Sequence, residues 1–248
     1  MAGAQRVVGV LLKSTDVITE SDLRRLCPSA IRIHSTRVRL DPGEELESLA
    51  PKVEEACEVI MDCVPELIAF ACASATFSGG SALDSALCKR VRQITGCNVV
   101  TAAGALIAAA RHLRMNRILL VSPYSEAIDH SIVSMLSEVE IEVASVLGLR
   151  YSEIFQADFL SGFPGAKNRL VDPSWLHRLA LDRLAGLPGV NGIVIACTGL
   201  RVSEVIADLE RDSKLPVVAA NQSLAAGVQR ELGLGIPVHG YGGLLEAL

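Results

Sequence analysis

Aromatic side chains are scarce: they make up 4% of the 248 residues, with one Trp, three Tyr and five Phe. The core must then come from Ala, Val, Leu and Ile, the residues that fill helix-covered parallel sheets, and hydrophobics still reach 50%. No apolar run approaches the ~20 residues that span a bilayer, and the N-terminus carries neither a basic leader with an apolar core nor an Arg-rich amphipathic pattern. These absences predict a cytoplasmic protein with no membrane partner. The net charge of -5, with acidic and basic residues interspersed, offers no extended positive surface, so nucleic acid is not an expected partner. None of the seven cysteines forms a C-x-x-C pair or has a His at zinc-ligand spacing, and their odd number speaks against a disulfide framework. No metal site is expected, and most of these thiols read as small buried hydrophobes.

What is present is alternation. Short β-branched apolar runs (Arg6–Leu12, Ala30–Val38, Leu67–Ala71, Asn98–Val100, Arg117–Val121, Glu140–Leu147, Gly192–Ala196 and Pro216–Ala219) read as strands. Segments of helical period lie between them: Leu46–Cys63, Ala82–Thr95, Ala102–His112, Tyr124–Glu138, Pro173–Ala185, Ser203–Ser213 and Leu224–Leu232. Asp172-Pro173 marks a helix entry, Gly186 an exit, and Ser122-Pro123 a strand end followed by a helix. The fold class is α/β. Phe155–Leu170 is the longest stretch without a period and reads either as a loop over a cleft or as a plain surface connection.

The chain also repeats itself. Glu66 to Ser74 (ELIAFACAS) and Asn191 to Gly199 (NGIVIACTG) both run from an apolar strand into Ala-Cys and two small residues, about half the chain apart. A second strand-turn-helix unit follows each, at Val99 to Gly104 and Val217 to Gln222. Duplication of an α/β half accounts for both similarities. Ligands of open parallel sheets bind beyond the carboxyl ends of the strands, where Cys72 and Cys197 are expected. Helix N-termini there favour a thiolate and can hold a substrate carboxylate. Cys27, Cys57, Cys63, Cys88 and Cys97 lack that context and read as structural. His34 lies on a strand and His239 in a Gly-rich tail, so neither is taken as a general base.

Taken in order, GVLLKSTD (Gly9 to Asp16), HSTRVRL (His34 to Leu40), ACASATFSGG (Ala71 to Gly80), TAAGALI (Thr101 to Ile107), VSPY (Val121 to Tyr124), ACTGLR (Ala196 to Arg201) and PVVAANQS (Pro216 to Ser223) span nearly the whole chain. Together they resemble the aspartate/glutamate racemase superfamily, in its branch of maleate cis-trans isomerases and arylmalonate decarboxylases. The resemblance implies two pseudo-symmetric, doubly wound parallel-sheet halves with the active site at their interface. These would be residues 1–115 plus 221–248, carrying Cys72, and residues 116–220, carrying Cys197, with the last long helix returning to the first half. Cys72 and Cys197 match the two catalytic cysteines of the branch. Ser74, Thr76 and Tyr124 match hydroxyls that bind a substrate carboxylate, Thr198 follows the second cysteine, and Asn221 matches a pocket-edge residue or caps a helix.

Asp16 stands where maleate isomerases carry Asn. It either repels a second carboxylate, pairs with a substrate ammonium, is held by Lys13 or Arg37, or caps a helix. Ala73 after Cys72 and Gly199 after Thr198 depart from glutamate racemases, and Cys72 departs from arylmalonate decarboxylases, which resemble this chain at the second cysteine but hold glycine at the first.

No cofactor is expected, and the expected partner is a small carboxylate or dicarboxylate. The first reading is maleate-type cis-trans isomerisation through a cysteine adduct. The alternatives are racemisation of aspartate or a related acid by two-thiol proton transfer, arylmalonate-type decarboxylation, and a non-enzymatic carboxylate-binding module. A homo-oligomer is left open by the sequence.

Overall fold

The structure is a computed structural model, and it describes residues 5–40, 46–149 and 164–248. Eight strands form two sheets. β1 (Arg6–Lys13), β2 (Ile31–Val38), β3 (Leu67–Ala71) and β4 (Asn98–Thr101) pair in the order β2-β1-β3-β4. β5 (Arg117–Ser122), β6 (Glu142–Gly148), β7 (Gly192–Ile195) and β8 (Val217–Ala219) pair in the order β6-β5-β7-β8. Every pairing is parallel. The two orders are the same, so the second sheet repeats the first. In each, the chain leaves the first strand to one side and later returns to pair on the other, which puts a topological switch point between β1 and β3 and another between β5 and β7.

Side chains of period two divide the interior into three layers. Val8, Val10 and Leu12 of β1, Leu67 and Ala69 of β3, Ile118 and Leu120 of β5 and Val194 of β7 share one central cluster between the sheets. Helices α1 (Thr19–Leu26), α5 (Ala102–His112) and α6 (Glu126–Ser137) contribute to that cluster, as does α9 (Ala220–Glu231). The opposite parity faces outward. Leu11, Ile68 and Phe70 pack under α2 (Leu46–Met61) and α4 (Gly80–Thr95). Leu119, Val121, Ile193 and Ile195 pack under α7 (Pro173–Leu184) and α8 (Ile206–Ser213). Cys72 belongs to the first outer cluster and Cys197 to the second, so the pseudo-symmetry extends to the parity of the two thiols.

The expected strands are all present, with ends shifted by one or two residues. Three helices were not foreseen, among them the short one over Gly243–Glu246. α1 carries little apolar signal beyond Leu23 and Leu26, and α3 (Ala73–Ser78) is a six-residue helix directly after Cys72 in which Phe77 is the one large apolar residue. Gly80, at φ 67, turns the chain between α3 and α4, a conformation that glycine adopts without a side-chain clash. α6 begins at Glu126 rather than Tyr124, because the chain stays extended through Ser125 at its N-cap. The Asp172 carboxylate caps α7 as its Asp-Pro pair implied, accepting from the Ser174 and Trp175 amides. A short α10 (Gly243–Glu246) closes the chain. No helix among the described residues is long and apolar enough to cross a membrane.

α9 follows the last strand of the second sheet yet packs against β3, β4, α1 and α5. The close approach depends on Gly227, where a Cβ would come within 2.9 Å of Val100 Cγ1 and 3.3 Å of Ala105 Cβ. Gly227→Leu is therefore expected to destabilise the protein by about 1–3 kcal/mol, lowering Tm by roughly 2–10 °C in a thermal melt.

Candidate active site

Both cysteines sit at the carboxyl end of a strand bordering a switch point. Cys72 follows β3 and occupies the N-cap position of α3, and Cys197 follows β7 after Ala196. Both are buried, at 2% and 4% exposure. The loop after β1 brings Asp16 within electrostatic reach of both sulfurs. Two open surface hollows, of about 470 and 400 Å3, are lined by none of the predicted site residues, so the cysteines lie in neither.

The partners of each thiol differ. Ser74 Oγ lies 3.6 Å from Cys72 Sγ, the Ala75 amide of α3 donates to the same sulfur, and Lys13 is the nearby cation. Cys197 is served by more donors: the Tyr124 hydroxyl, the Gly199 amide, and Asn168 Nδ2 at 3.1 Å. The expectation that helix N-termini would make these thiols acidic is corrected. Burial outweighs the donors at both sites: it pushes the Cys72 thiol up, and it pushes Cys197 up to about 11. Asp16 adds to the rise at each. Nor does a helix begin at Cys197, since a turn and a 3-10 helix (Val202–Glu204) intervene before α8. The thiol form therefore dominates both cysteines at neutral pH.

Asp16 caps α1. Its Oδ1 accepts from the Ile18 and Thr19 amides, both at 2.9 Å, and its Oδ2 accepts from Thr19 Oγ1 at 2.6 Å. Arg37 meets the backbone carbonyl of Asp16, not its carboxylate. Tyr124 stands beside Cys197, its amide bonded to Ser122 Oγ. Thr76 turns its hydroxyl back to the carbonyls of Cys72 and Ala73. Thr198 is buried behind Cys197, and its carbonyl accepts from Asn221 Nδ2 at 2.8 Å. Asn221 also donates to Asp22 Oδ2 at 2.9 Å, so its amide is committed to the protein.

Asn168, Thr19, Asp22 and Ser203 carry no motif that marks them in the sequence. Asn168 lies in the stretch Phe155–Leu170; its first part, 155–163, falls outside the described residues, and 164–170 is a 3-10 helix. A lone Asn without a periodic neighbour carries no pattern. Thr19, Asp22 and Ser203 are buried polar residues whose meaning is visible only once α1 meets the Cys197 loop. His34 pairs with Gly9 within β1 and β2, while His239 is exposed in the tail. Of the other cysteines, all of them free, Cys27 and Cys57 are buried, Cys88 and Cys97 are half-buried, and Cys63 is exposed.

Known proteins share this fold. The arylmalonate decarboxylase family profile matches residues 42–245, well over half of the chain. The chain belongs to the arylmalonate decarboxylase family. Within that family's wider branch, a maleate isomerase from Nocardia farcinica is 28% identical over 97% of this chain and 96% of its own. An arylmalonate decarboxylase from Bordetella bronchiseptica is 25% identical, over 70% of this chain and 68% of its own. A Pseudomonas putida maleate isomerase crystallised with maleate superposes with a TM-score of 0.82 at 22% identity, covering 98% of each chain. A crystal structure of arylmalonate decarboxylase gives 0.83 at 21%, over 97% of this chain and 99% of its own. A Nocardia farcinica maleate cis-trans isomerase, with one cysteine replaced by serine and a covalently bound succinylcysteine intermediate, gives 0.82 at 24%, over 97% and 98%. These structural likenesses establish the family fold.

Because Tyr124 and Asn168 donate to the Cys197 sulfur, each favours its thiolate. Tyr124→Phe and Asn168→Ala are each expected to move the Cys197 ionisation to still higher pH. An ultraviolet titration of thiolate absorbance, with the other cysteines replaced, reads the shift.

Proposed function

We propose that the protein is a cofactor-independent isomerase that converts a small unsaturated cis-dicarboxylate of the maleate type into its trans isomer, using Cys72 and Cys197 together. The observation that carries this reading is a buried cysteine at the switch point of each sheet, both within electrostatic reach of Asp16. Full-length relatives named maleate isomerase and the succinylcysteine found in one of them support it. In the proposed chain of events, the thiolate of one cysteine adds to an olefinic carbon, and the π electrons pass to the neighbouring carbon and its carboxylate as an ene-diolate. The second cysteine's thiol gives that carbon a proton, leaving a succinyl thioether and a thiolate. The former double bond, now single, rotates. The second thiolate then takes a proton back, the C–S bond breaks, and the trans diacid leaves with the first cysteine again a thiolate and the second again a thiol.

Ser74, Tyr124 and Thr198 are the residues we assign to the substrate carboxylates, with Lys13 as the attracting cation near Cys72. Thr76 and Asn221, whose polar atoms are spent on the protein, act in this reading as supports of the two cysteine loops. The site lies between residues 1–115 plus 221–248 and residues 116–220, which we take as the two functional halves. One observation favours a second reading, racemisation of an amino acid such as aspartate: the Asp16 carboxylate lies within electrostatic reach of both thiols and would suit a substrate ammonium.

Incubation of the purified protein with maleate in deuterated water, without added cofactor, is expected to give fumarate by proton NMR. Deuterium at the α-carbon of recovered aspartate, with no fumarate formed, would instead establish the racemase. Carbon dioxide release from an arylmalonate would establish the decarboxylase. Cys72→Ala and Cys197→Ala are each expected to lower kcat at least 100-fold while leaving Tm nearly unchanged. Undiminished turnover in either variant contradicts the two-cysteine reading.

A further inference from the structure

Asp22 lies on α1, in the first-sheet half, and its carboxylate joins α9, which packs on that half, to Ser203 of the second half. At 1% exposure it accepts from Ser203 Oγ at 2.8 Å and from Asn221 Nδ2 at 2.9 Å, with Arg25 Nη2 at 3.0 Å from its own helix. The other hydrogen of the Asn221 amide goes to the Thr198 carbonyl at 2.8 Å. Thr19 Oγ1 lies 3.2 Å from that carbonyl, but it has one hydrogen and a nearer acceptor in Asp16 Oδ2 at 2.6 Å. Asn221 is thus the donor that holds the Thr198 oxygen, and Asp22 is what orients Asn221.

The Thr198 carbonyl and the Gly199 N–H belong to one planar trans peptide and point in opposite directions. Fastening the oxygen toward α1 aims the N–H at the Cys197 sulfur, to which it donates. A hydrogen bond to the carbonyl also polarises the unit and strengthens its N–H as a donor. We infer that Asp22 is a positioning residue for Cys197: through Asn221 it sets the Thr198–Gly199 peptide so that the Gly199 amide meets the sulfur. The inference rests on the two-cysteine reading above, and it explains why a carboxylate is tolerated in a buried interface. Among the described residues, the titratable groups that face Cys197 are Asp16, from the loop after β1, and Tyr124, from the loop after β5. Those that face Asp22 are Arg25, on its own helix, Asp16, and Arg201 from the turn after β7.

The test reads each thiol separately and needs no substrate. Wild type, Asp22→Ala and Asp22→Asn are alkylated with iodoacetamide across a pH series, and modification at Cys72 and Cys197 is quantified by peptide mass spectrometry. In Asp22→Ala the Cys197 midpoint is expected to rise by about one pH unit, a roughly tenfold loss of thiolate at a fixed lower pH. The Cys72 midpoint should not move. Asp22→Asn keeps the shape and loses one acceptor, so a smaller rise at Cys197 is expected, and it decides the matter should Asp22→Ala not fold. Ser203→Ala, which loosens Asp22 without touching Thr198, should leave the Cys197 midpoint in place.

The sign is diagnostic. If Asp22 acted only as a nearby negative charge, its removal would lower the Cys197 midpoint. An unchanged or lowered Cys197 midpoint overturns the inference, as does a common shift of both thiols. Absence of isomerase turnover would overturn the proposed function but leave this alkylation result to stand or fall by itself.

Discussion

Parallel strands deliver all their carboxyl ends to one rim, and this protein depends on two such rims being locked together by buried hydrogen bonds. The lock is made where α1 and the start of α9 meet the turn after β7: Asn221 holds the Thr198 carbonyl, and Asp22 holds Asn221 and Ser203. All four side chains are buried, so each bond forms away from competing water and a missing partner would leave a costly unsatisfied group. The apolar layer between the sheets brings the halves together without direction. The polar lock supplies the register that sets Cys197, like Cys72, within electrostatic reach of Asp16.

Burial has an equal and opposite consequence for the chemistry. A dry site favours neutral thiols, which is why Cys197 is pushed up to about 11 despite three donors. A protonated cysteine suits the acid role in the proposed reaction, while the nucleophile must first lose its proton. The unequal donor sets, two around Cys72 and three around Cys197, mean that the two need not ionise together. Asp16 contributes a fixed negative charge to both while its oxygens cap α1, so capping and electrostatic roles coincide in one residue.

Much of this was legible in the chain. The inner strands could be read from their apolar runs, because a strand covered on both faces is apolar throughout, whereas the edge strand β2 mixes buried and exposed residues. The repeated Ala-Cys strand ends located both thiols, because a strand end preceded by four or five apolar residues has one place in a parallel sheet. The misses share a physical cause. α1 has a weak apolar stripe because its buried face is partly polar, through Thr19 and Asp22, and such a face imitates a surface segment in sequence. Asn168 reaches Cys197 from a segment with no period at all. The thiol acidities were misjudged because sequence displays the donors near a group and not the depth at which the group is buried.

The central claim is that two cysteines from different halves act on one substrate through a covalent adduct. Its most direct test is the covalent state of the protein after exposure to maleate in three forms: Cys72→Ser, Cys197→Ser and the double variant, each mapped by peptide mass spectrometry. The account predicts a succinyl adduct on the cysteine that remains in at least one single variant, and none in the double variant. An adduct on any of the other five cysteines, or no adduct in either single variant alongside intact wild-type turnover, would contradict it.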